Sequence, residues 1–573
     1  MTKVRVWAIA ATSVAVLATG CSFGGSDKGS SSGAKSITVE YQNFPILDPQ
    51  RVGWGEWITG AGILEGLVDL NADGTGVVPA TADTWKASRD GRVYTFHIRD
   101  TAKWSDGQPV TAADFEWTYK RLFTPGSGQA AVTTGANSYV VSTGISGAID
   151  FLSGKLKDWS KVGVKAPDAH TVQLTLDKPN AGFLQDLAYP AMVAMPEHVV
   201  SKHQKDWQTP ANFVGNGPYV VKAWNINSSM TLTPNKYYWD QKSIGLKQIN
   251  VRLSDESQAA LHFRNKEIDV GPIGSANLKP FQQNKSLADQ LVRMPAFGLS
   301  YLAVMHSKNP LLQDQRVREA LALGMSRTDM AKTCAGCRPA YALVSDSVPG
   351  YNKSVELTED VAKARKLLAA AGYPGGKGLP PIHIVNDGAN PVLEAIADTW
   401  KRNLGVTTKI EVLDPGVYVE KRAALQPANY IGFYYGSFSQ LPSWQAWTTV
   451  LWGPDFTSQF SLSGADWATY TKMAASTAAN SGIRAQTFVA QHRSAAATQF
   501  VNLVTKAAQN LDPDKATQQF MQAARIRRDT DLFIPTVISD SFWAVRKDIT
   551  GLHLRSGFYF PFYFKGVSVA GTK

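Results

Sequence analysis

Apolar and polar residues alternate along several short segments of the chain, and this period of two predicts strands. In a predicted hairpin over residues 85–100, Tyr94, Phe96 and Ile98 share one face and Asp90-Gly91 forms the turn. The same pattern predicts strands over 38–41, 171–176, 382–385, 408–412 and 534–538, and a strand-rich stretch over 217–253.

Between these segments, apolar residues recur at helical spacing. Val317, Ala320 and Leu321 lie at positions i, i+3 and i+4 of one such segment. Thr111, followed three residues later by Asp114, predicts the capped start of another helix. Helices are predicted over 314–323, 358–371, 392–404 and 517–530, and residues 63–70 are expected to end a helix. Strands interleaved with helices in separate blocks indicate α/β or α+β lobes.

Length and composition describe a large globular protein. With 573 residues the chain is too long to fold around a single hydrophobic core, so roughly three or four lobes are expected. Its hydrophobic content of 44% and charged content of 18% are those of a folded protein. The net charge is +11, but Lys and Arg are interspersed with Asp and Glu and never form a run of five. We therefore expect a mixed, solvated surface and no nucleic-acid partner.

The N-terminal segment has the pattern of a secretory signal. Lys3 and Arg5 precede an apolar run over 6–18, and small residues lead from there to Cys21. This run is too short for a bilayer-spanning helix, which needs about 18–20 apolar residues, and no later run is long enough. We predict a signal peptide over residues 1–20.

Residues 17–21, Leu-Ala-Thr-Gly-Cys, resemble a bacterial lipobox, which implies that Cys21 is lipidated and becomes the new N-terminus. Ala18 stands where such signals usually have Leu, and ordinary secretion with cleavage nearby is the alternative. Residues 21–36 are rich in Gly and Ser and are expected to act as a flexible tether.

The other two cysteines, Cys334 and Cys337, form a Cys-Ala-Gly-Cys motif. Such a motif can be a redox site, half of a zinc site or a local disulfide. A zinc site needs about four ligands, and no second CxxC or His pair is present. We expect a small disulfide loop, as suits an exported protein.

The sequence contains none of the common catalytic motifs. GxSxG, HExxH and a complete phosphate-binding loop are absent, and the nine His residues are scattered. We therefore predict that the protein is not an enzyme and has no catalytic residue, cofactor or metal ion.

Several segments, in order, resemble the bacterial extracellular solute-binding proteins of family 5, which serve oligopeptide and dipeptide ABC importers. The best match includes Lys103-Trp104-Ser105-Asp106-Gly107, within the segment 82–115. Others are the segments 196–198, 216–224, 235–239, 314–327 and 363–373. The resemblance covers roughly residues 37–560.

The resemblance implies an α/β fold of the periplasmic-binding-protein type (type II, the large three-domain cluster), with two lobes and a two-strand hinge. Closure of the lobes would bury the ligand between them. The implied division is lobe one, or domain I, over 37–80, 208–300 and 537–573; domain II over 81–207; and lobe two, or domain III, over 301–536.

The resemblance also suggests how the ligand is held. In peptide-binding members, two strands sandwich the peptide through main-chain hydrogen bonds. The corresponding segments lie near 41–44 and 433–438, and Ser437 takes the place of the Asp that pairs with the ligand ammonium. Asp387 is the candidate replacement for that carboxylate. The predicted ligand-binding residues are Gln42, Asn43, Phe44, Asp387, Tyr434, Tyr435, Gly436, Ser437, Phe438 and Trp444.

We therefore predict a monomeric, lipid-anchored solute-binding protein on the extracytoplasmic face of the bacterial cell membrane, periplasmic in a Gram-negative organism. It would capture oligopeptides or modified peptides by lobe closure and deliver them to the permease of an ABC importer. An oligosaccharide or siderophore-like ligand on the same fold is the alternative, because the aromatic residues near Ser437 also suit sugar stacking. A lipid-anchored hydrolase is the lesser alternative.

Overall fold

In the residues that it describes, the computed structural model contains seven β-sheets and, between them, α-helices of four to eighteen residues. It describes residues 35–44, 46–51, 62–72, 74–125, 143–254, 257–296, 298–305, 307–439, 443–450, 462, 466, 469–470, 472–473, 488–489, 491–492, 494–530, 533–554 and 562–571. The predicted α/β class is confirmed. Cys21 and the predicted signal peptide lie outside the described residues, as does all but the end of the predicted tether.

The largest sheet has seven strands and is built from both ends of the chain. Its strands, in spatial order, are β12 (Leu291–Met294), β20 (Ser541–Val545), β11 (Val270–Pro272), β1 (Ser36–Gln42), β10 (Gln248–Ser254), β9 (Ser229–Pro234) and β8 (Tyr219–Asn225). The first strand, β1, lies between β10 and β11 and is parallel to both. Its Ile37 and Val39 are fully buried, which explains why this segment is apolar on alternate positions.

A four-stranded antiparallel sheet contains the predicted hairpin. Its strands are, in spatial order, β4 (Ala82–Ala87), β5 (Val93–Ile98), β7 (Thr171–Thr175) and β6 (Val164–Asp168). Tyr94, Phe96 and Ile98 are all buried on one face, as predicted. Helix α1 (Ala112–Phe123) starts with the expected capping box, in which the Thr111 amide donates to the Asp114 carboxylate at 2.8 Å.

A five-stranded sheet carries the predicted ligand strand. Its strands, in spatial order, are β16 (Thr408–Val412), β15 (Ile382–Asn386), β17 (Gly432–Ser439), β13 (Gly298–Val304) and β18 (Phe533–Pro535). The β-α-β unit predicted over 382–412 is confirmed, because β15 and β16 are parallel and helix α11 (Pro391–Leu404) connects them. Strand β17 is parallel to β15 on one side and antiparallel to β13 on the other.

The remaining elements are short strand pairs and helices. The pairs are β2 (Val68–Leu70) with β3 (Val77–Pro79), β14 (Cys337–Pro339) with β19 (Val537–Ser539), β21 (Ile549–Thr550) with β24 (Ser568–Val569), and β22 (His553–Leu554) with β23 (Phe562–Tyr563). The other α-helices are α2 (Ala148–Leu152), α3 (Phe183–Leu187), α4 (Glu197–Val200), α5 (Ala259–Arg264), α6 (Ser275–Gln283), α7 (Lys285–Ala288), α8 (Gln315–Leu323), α9 (Arg327–Lys332), α10 (Val361–Ala370), α12 (Pro415–Ala423), α13 (Trp444–Val450), α14 (Ala495–Ala508) and α15 (Pro513–Thr530). Short 3-10 helices span Trp159–Lys161, Pro190–Met192, Gln241–Ser243, Leu311–Gln313, Lys353–Val355 and Pro374–Gly376.

Two predicted elements are wrong. Residues 68–70, expected to end a helix, form strand β2, whose partner β3 follows a turn in which the Asn71 side chain accepts from the Gly76 amide. Residues 534–538, predicted as one strand, belong to two strands that pair in different sheets. Thr536 separates β18, which pairs with β13, from β19, which pairs with β14. The apolar pattern is continuous there because both strands are buried.

The chain crosses twice between the seven-stranded and the five-stranded sheet. The first crossing lies between Met294, which ends β12, and Gly298, which begins β13. The second lies at Asp540, between β19 and β20, because β19 packs beside β13. Two crossings match the two-strand hinge that the resemblance implies. The division into domains I, II and III stays a prediction.

Candidate functional site

Strand β17 has an open edge beyond the end of β15. The described pairing of β15 with β17 stops at Val385 opposite Tyr434, whereas β13 accompanies β17 as far as Ser439. In the described part of the chain, no strand therefore pairs with residues 435–439 on the side where β15 ends.

The backbone of Ser437 faces this open edge. Gly432 accepts a hydrogen bond from Met305, next to β13, while Ile431 accepts one from His383 on β15. Backbone groups of successive residues in a strand point to opposite sides. Odd-numbered residues of β17 therefore direct their N–H and C=O groups away from β13. The Tyr418 hydroxyl already donates to the Tyr435 carbonyl at 2.6 Å, so Ser437 is the next residue available for pairing.

The aromatic residues predicted to line the ligand are mostly buried. Tyr434 is 4% exposed, Tyr435 5% and Trp444 4%, and each packs in a hydrophobic core. Trp444 also donates its indole N–H to the Pro349 carbonyl at 3.0 Å. Ser437, by contrast, is exposed. The backbone of Phe438 continues β17, but its side chain lies outside the described part of the structure.

Asp387 lies at the same end of the sheet as Ser437. It follows β15 by one residue, and continuing the parallel register two residues past Val385 and Tyr434 brings Asp387 level with Gly436. Asp387 is exposed. Burial raises the pKa of the Tyr418 phenol, and the negative charge of Asp387 adds to that increase. The structure thus brings Asp387, Tyr418 and the open edge of β17 together.

Position 436 has no room for a side chain, because Tyr301 lies directly opposite in the sheet. A Cβ at this position would come within 2.8 Å of the Tyr301 hydroxyl oxygen. Tyr301 is directly opposite Gly436 in the β13–β17 pairing and is 3% exposed. Any larger residue would have to displace this buried ring, which would disturb the strand next to its open edge.

Arg422 is a candidate site residue that sequence reasoning missed. Its guanidinium lies 5.5 Å from the Tyr418 ring centroid and 5.8 Å from that of Tyr434. Burial opposes its charge, yet the phenols of Tyr418, Tyr434 and Tyr301 raise its pKa above the ordinary value. In the described part of the chain, no carboxylate forms an ion pair with it. In the sequence it resembles an ordinary basic residue at a helix C-terminus, so no local signal distinguishes it.

The other predicted ligand segment, residues 42–44, lies at the end of β1. Gln42 is half-buried and paired with Ser254 of β10. Asn43 is exposed. Its backbone N–H donates to the Ser254 carbonyl, and its side-chain oxygen accepts from the Asn227 backbone N–H at 3.1 Å. Phe44 is buried against Trp224, with the two ring centroids 6.2 Å apart.

Cys334 and Cys337 are joined by a disulfide bond. Among the described residues, no group of His, Cys, Asp and Glu has the arrangement of a metal site. Within the same residues, no helix combines the length and apolar character needed to cross a membrane.

Much of the chain is similar in sequence to known proteins. Residues 76–452 match the family described as bacterial extracellular solute-binding proteins, family 5 Middle. The chain is 33% identical over 389 residues to the periplasmic murein peptide-binding protein MppA of Escherichia coli K12, covering 66% of this chain and 70% of MppA. It is 32% identical over 392 residues to the probable deoxycholate-binding periplasmic protein YgiS of the same organism, covering 66% of this chain and 71% of YgiS.

Among solved structures, the unliganded open form of the murein tripeptide-binding protein MppA superimposes with a TM-score of 0.73. The sequence identity is 24%, and the match covers 94% of this chain and 97% of that one. The likeness shows the shared fold, the periplasmic-binding-protein fold predicted from the sequence. Family members are binding proteins rather than enzymes. The chain belongs to the bacterial extracellular solute-binding proteins of family 5.

Proposed function

We propose that this protein binds peptides as an added strand along the open edge of β17 and delivers them to the permease of an ABC importer. It performs no catalysis on its ligand. It acts outside the cytoplasm, as a monomer held at the membrane through a lipid on Cys21.

The open edge of β17 is the observation that carries this proposal. An extended peptide can pair with the N–H and C=O groups of Ser437, as in strand addition to any exposed sheet edge. Because backbone pairing is independent of side chains, such a site accepts many peptide sequences. The relative MppA is named for a murein peptide, which fits a peptide-like ligand.

The charges near this edge suit the two ends of a peptide. Asp387 is exposed and can pair with an ammonium group, which Ser437 cannot do. Arg422 carries a positive charge without a carboxylate partner among the described residues and can pair with a ligand carboxylate. A peptide is the ligand class that supplies a backbone and both charges.

The alternative of an oligosaccharide finds less support. Sugar stacking needs exposed aromatic faces, but Tyr434, Tyr435 and Trp444 are each about 5% exposed or less. The relative YgiS is named as probably binding deoxycholate, so family membership alone does not determine the ligand.

Two variants of Ser437 test the proposal. Ser437→Pro removes the backbone N–H at the open edge and leaves the bonds to β13 intact. We expect peptide binding to weaken by about tenfold or more. Ser437→Ala removes only the hydroxyl, so we expect a change of about twofold or less. Binding is measured by calorimetry with peptides recovered from the purified protein and identified by native mass spectrometry.

Equal affinities for the Pro and Ala variants would refute strand addition at Ser437, provided that circular dichroism shows both to be folded. Recovery of only sugars or steroids, together with no thermal stabilisation by a peptide library, would refute the peptide ligand. A peptide at about 100 times its Kd should add about 2.7 kcal/mol to the free energy of unfolding. Hydrolysis of a captured peptide would refute the absence of catalysis.

A further inference from the structure

The two crossings between the sheets are tied together by one side chain, Asp540. Its carboxylate accepts from the Arg293 guanidinium, near the end of β12, at 2.6 Å and from the Ala296 amide, in the first crossing, at 2.8 Å. Asp540 itself forms the second crossing. The Asp540 side chain is only 3% exposed, whereas that of Arg293 is 51% exposed. We call Arg293, Ala296 and Asp540 the hinge cluster.

The disulfide loop formed by residues 334–337 packs directly against this hinge cluster. The Asp540 amide donates to the Gly336 carbonyl at 3.1 Å. Gly336 has a positive φ of 83°, and a Cβ there would come within 2.8 Å of the Phe542 ring. This close approach is possible only for glycine.

The end of the loop is attached to the same place. Cys337 pairs with Ser539 in the β14–β19 ladder, and its sulfur lies 3.3 Å from the Ser539 hydroxyl. Arg338, the next residue, reaches the Asp540 carboxylate at 3.3 Å and also pairs with Asp346. The loop therefore lies against Ser539, which precedes the second crossing, against Asp540, which forms it, and against Phe542 in β20.

We propose that the Cys334–Cys337 disulfide braces the hinge cluster, and that its reduction loosens both crossings between the sheets. The disulfide holds Gly336 in the turn that accepts from Asp540 and fixes the start of β14, which positions Arg338. A ring closed by so few residues adds little loop-closure entropy. Its main effect is therefore local.

The disulfide is accessible to small reductants, because both cysteines are only half-buried. A dithiol reduces it by thiolate attack through a mixed disulfide. Two electrons pass to the protein, the S–S bond is replaced by the two thiols of Cys334 and Cys337, and the dithiol is oxidised to its own cyclic disulfide. Dithiothreitol supplies this chemistry in the experiment.

Hydrogen exchange of the full chain, without ligand, tests the brace independently of the peptide proposal. The protein is measured oxidised and after treatment with dithiothreitol, beside the double variant Cys334→Ser/Cys337→Ser. In the reduced protein and in the variant, we expect amides in 293–296 and 538–543 to exchange about tenfold faster. Exchange in strand β5, which belongs to the separate four-stranded sheet, should stay the same.

Equal exchange of the amides in 293–296 and 538–543 in the oxidised, reduced and variant proteins would overturn the proposal. So would a uniform acceleration that includes β5, because it would indicate global destabilisation instead of a local brace. The variant keeps Cys21, so an effect of dithiothreitol that persists in the variant would assign the change to another site and overturn the brace as well.

Discussion

At the scale of single residues, two acidic side chains lie in opposite surroundings. Asp387 is exposed at the end of the five-stranded sheet, where its charge is available to a ligand. Glu65 is 6% exposed and accepts hydrogen bonds from the Tyr238 hydroxyl and from the Trp239 indole N–H at 3.0 Å. Asp387 is therefore suited to ligand recognition, whereas Glu65 is suited to holding chain segments together.

Replacement of Asp387 tests its proposed role with the ligand ammonium. Asp387→Asn should weaken the binding of free-amine peptides about tenfold or more, the effect of losing one charge-assisted hydrogen bond. The same peptides with N-acetylated ends should bind the variant and the unmodified protein equally well. Calorimetry with both peptide forms gives the comparison, and an equal loss for both forms would show that Asp387 does not contact the ammonium.

Glu65 should make stability depend on pH. Burial raises the pKa of its carboxyl from the ordinary 4.5, although Lys565 and the two hydrogen bonds act in the opposite direction. A raised pKa in the folded state means that the stabilisation is complete below pH 4.5 and is lost as the pH rises through the folded value. Glu65→Gln cannot ionise and should lack this contribution.

The free energy of unfolding of the wild type should therefore fall, relative to Glu65→Gln, as the pH rises from 4.5. Urea titrations at several pH values measure this difference. Glu394→Gln, at an exposed position of α11, removes one carboxylate elsewhere and is the matched control. If the difference in free energy of unfolding between the wild type and Glu65→Gln stays constant across the pH range, the pKa of the Glu65 carboxyl is not raised in the folded state.

At the scale of elements, helix α13 connects the ligand strand to another part of the molecule. It is the next described element after β17, and its Gln445 bonds to the segment after β7. The Gln445 carboxamide accepts from the Gly182 amide at 3.0 Å and donates to the Asn180 side chain at 2.6 Å. Nearby, the Ala181 amide donates to the carbonyl of Ala508 at the end of α14. The segment that follows the four-stranded sheet thus contacts helices α13 and α14.

The contact should open as one unit when Gln445 is removed. Gln445→Ala deletes two hydrogen bonds of about 1 kcal/mol each, so the Ala181 amide, which does not contact Gln445 directly, should exchange roughly tenfold faster. Gln248→Ala, at an exposed position whose side chain bonds Asn250, is the matched control. If exchange at Ala181 is unchanged, the Ala181–Ala508 hydrogen bond opens independently of the two hydrogen bonds of Gln445.

At the scale of the whole molecule, local patterns predicted most elements, while positions set by distant contacts were missed. The hairpin around Gly91 and the capping box at Thr111 follow local rules. The separation of β18 from β19 depends on which distant segment pairs with each, which a local pattern does not contain. Strand 68–70 pairs locally with β3, but its apolar run is too short to distinguish a strand from the end of a helix. The same holds for the site: the burial of Tyr434 and the position of Arg422 beside it arise only when α12 packs on β17.

The position of β20 in the seven-stranded sheet has a consequence for the order of folding. β20 lies between β11 and β12, and the Tyr41 ring of the first strand lies 6.2 Å from that of Phe562 near the C-terminus. The sheet that β1 begins is therefore completed only after β20 has been synthesised. A nascent chain that lacks β20 leaves the facing edges of β11 and β12 unpaired, and such edges favour aggregation until β20 is added.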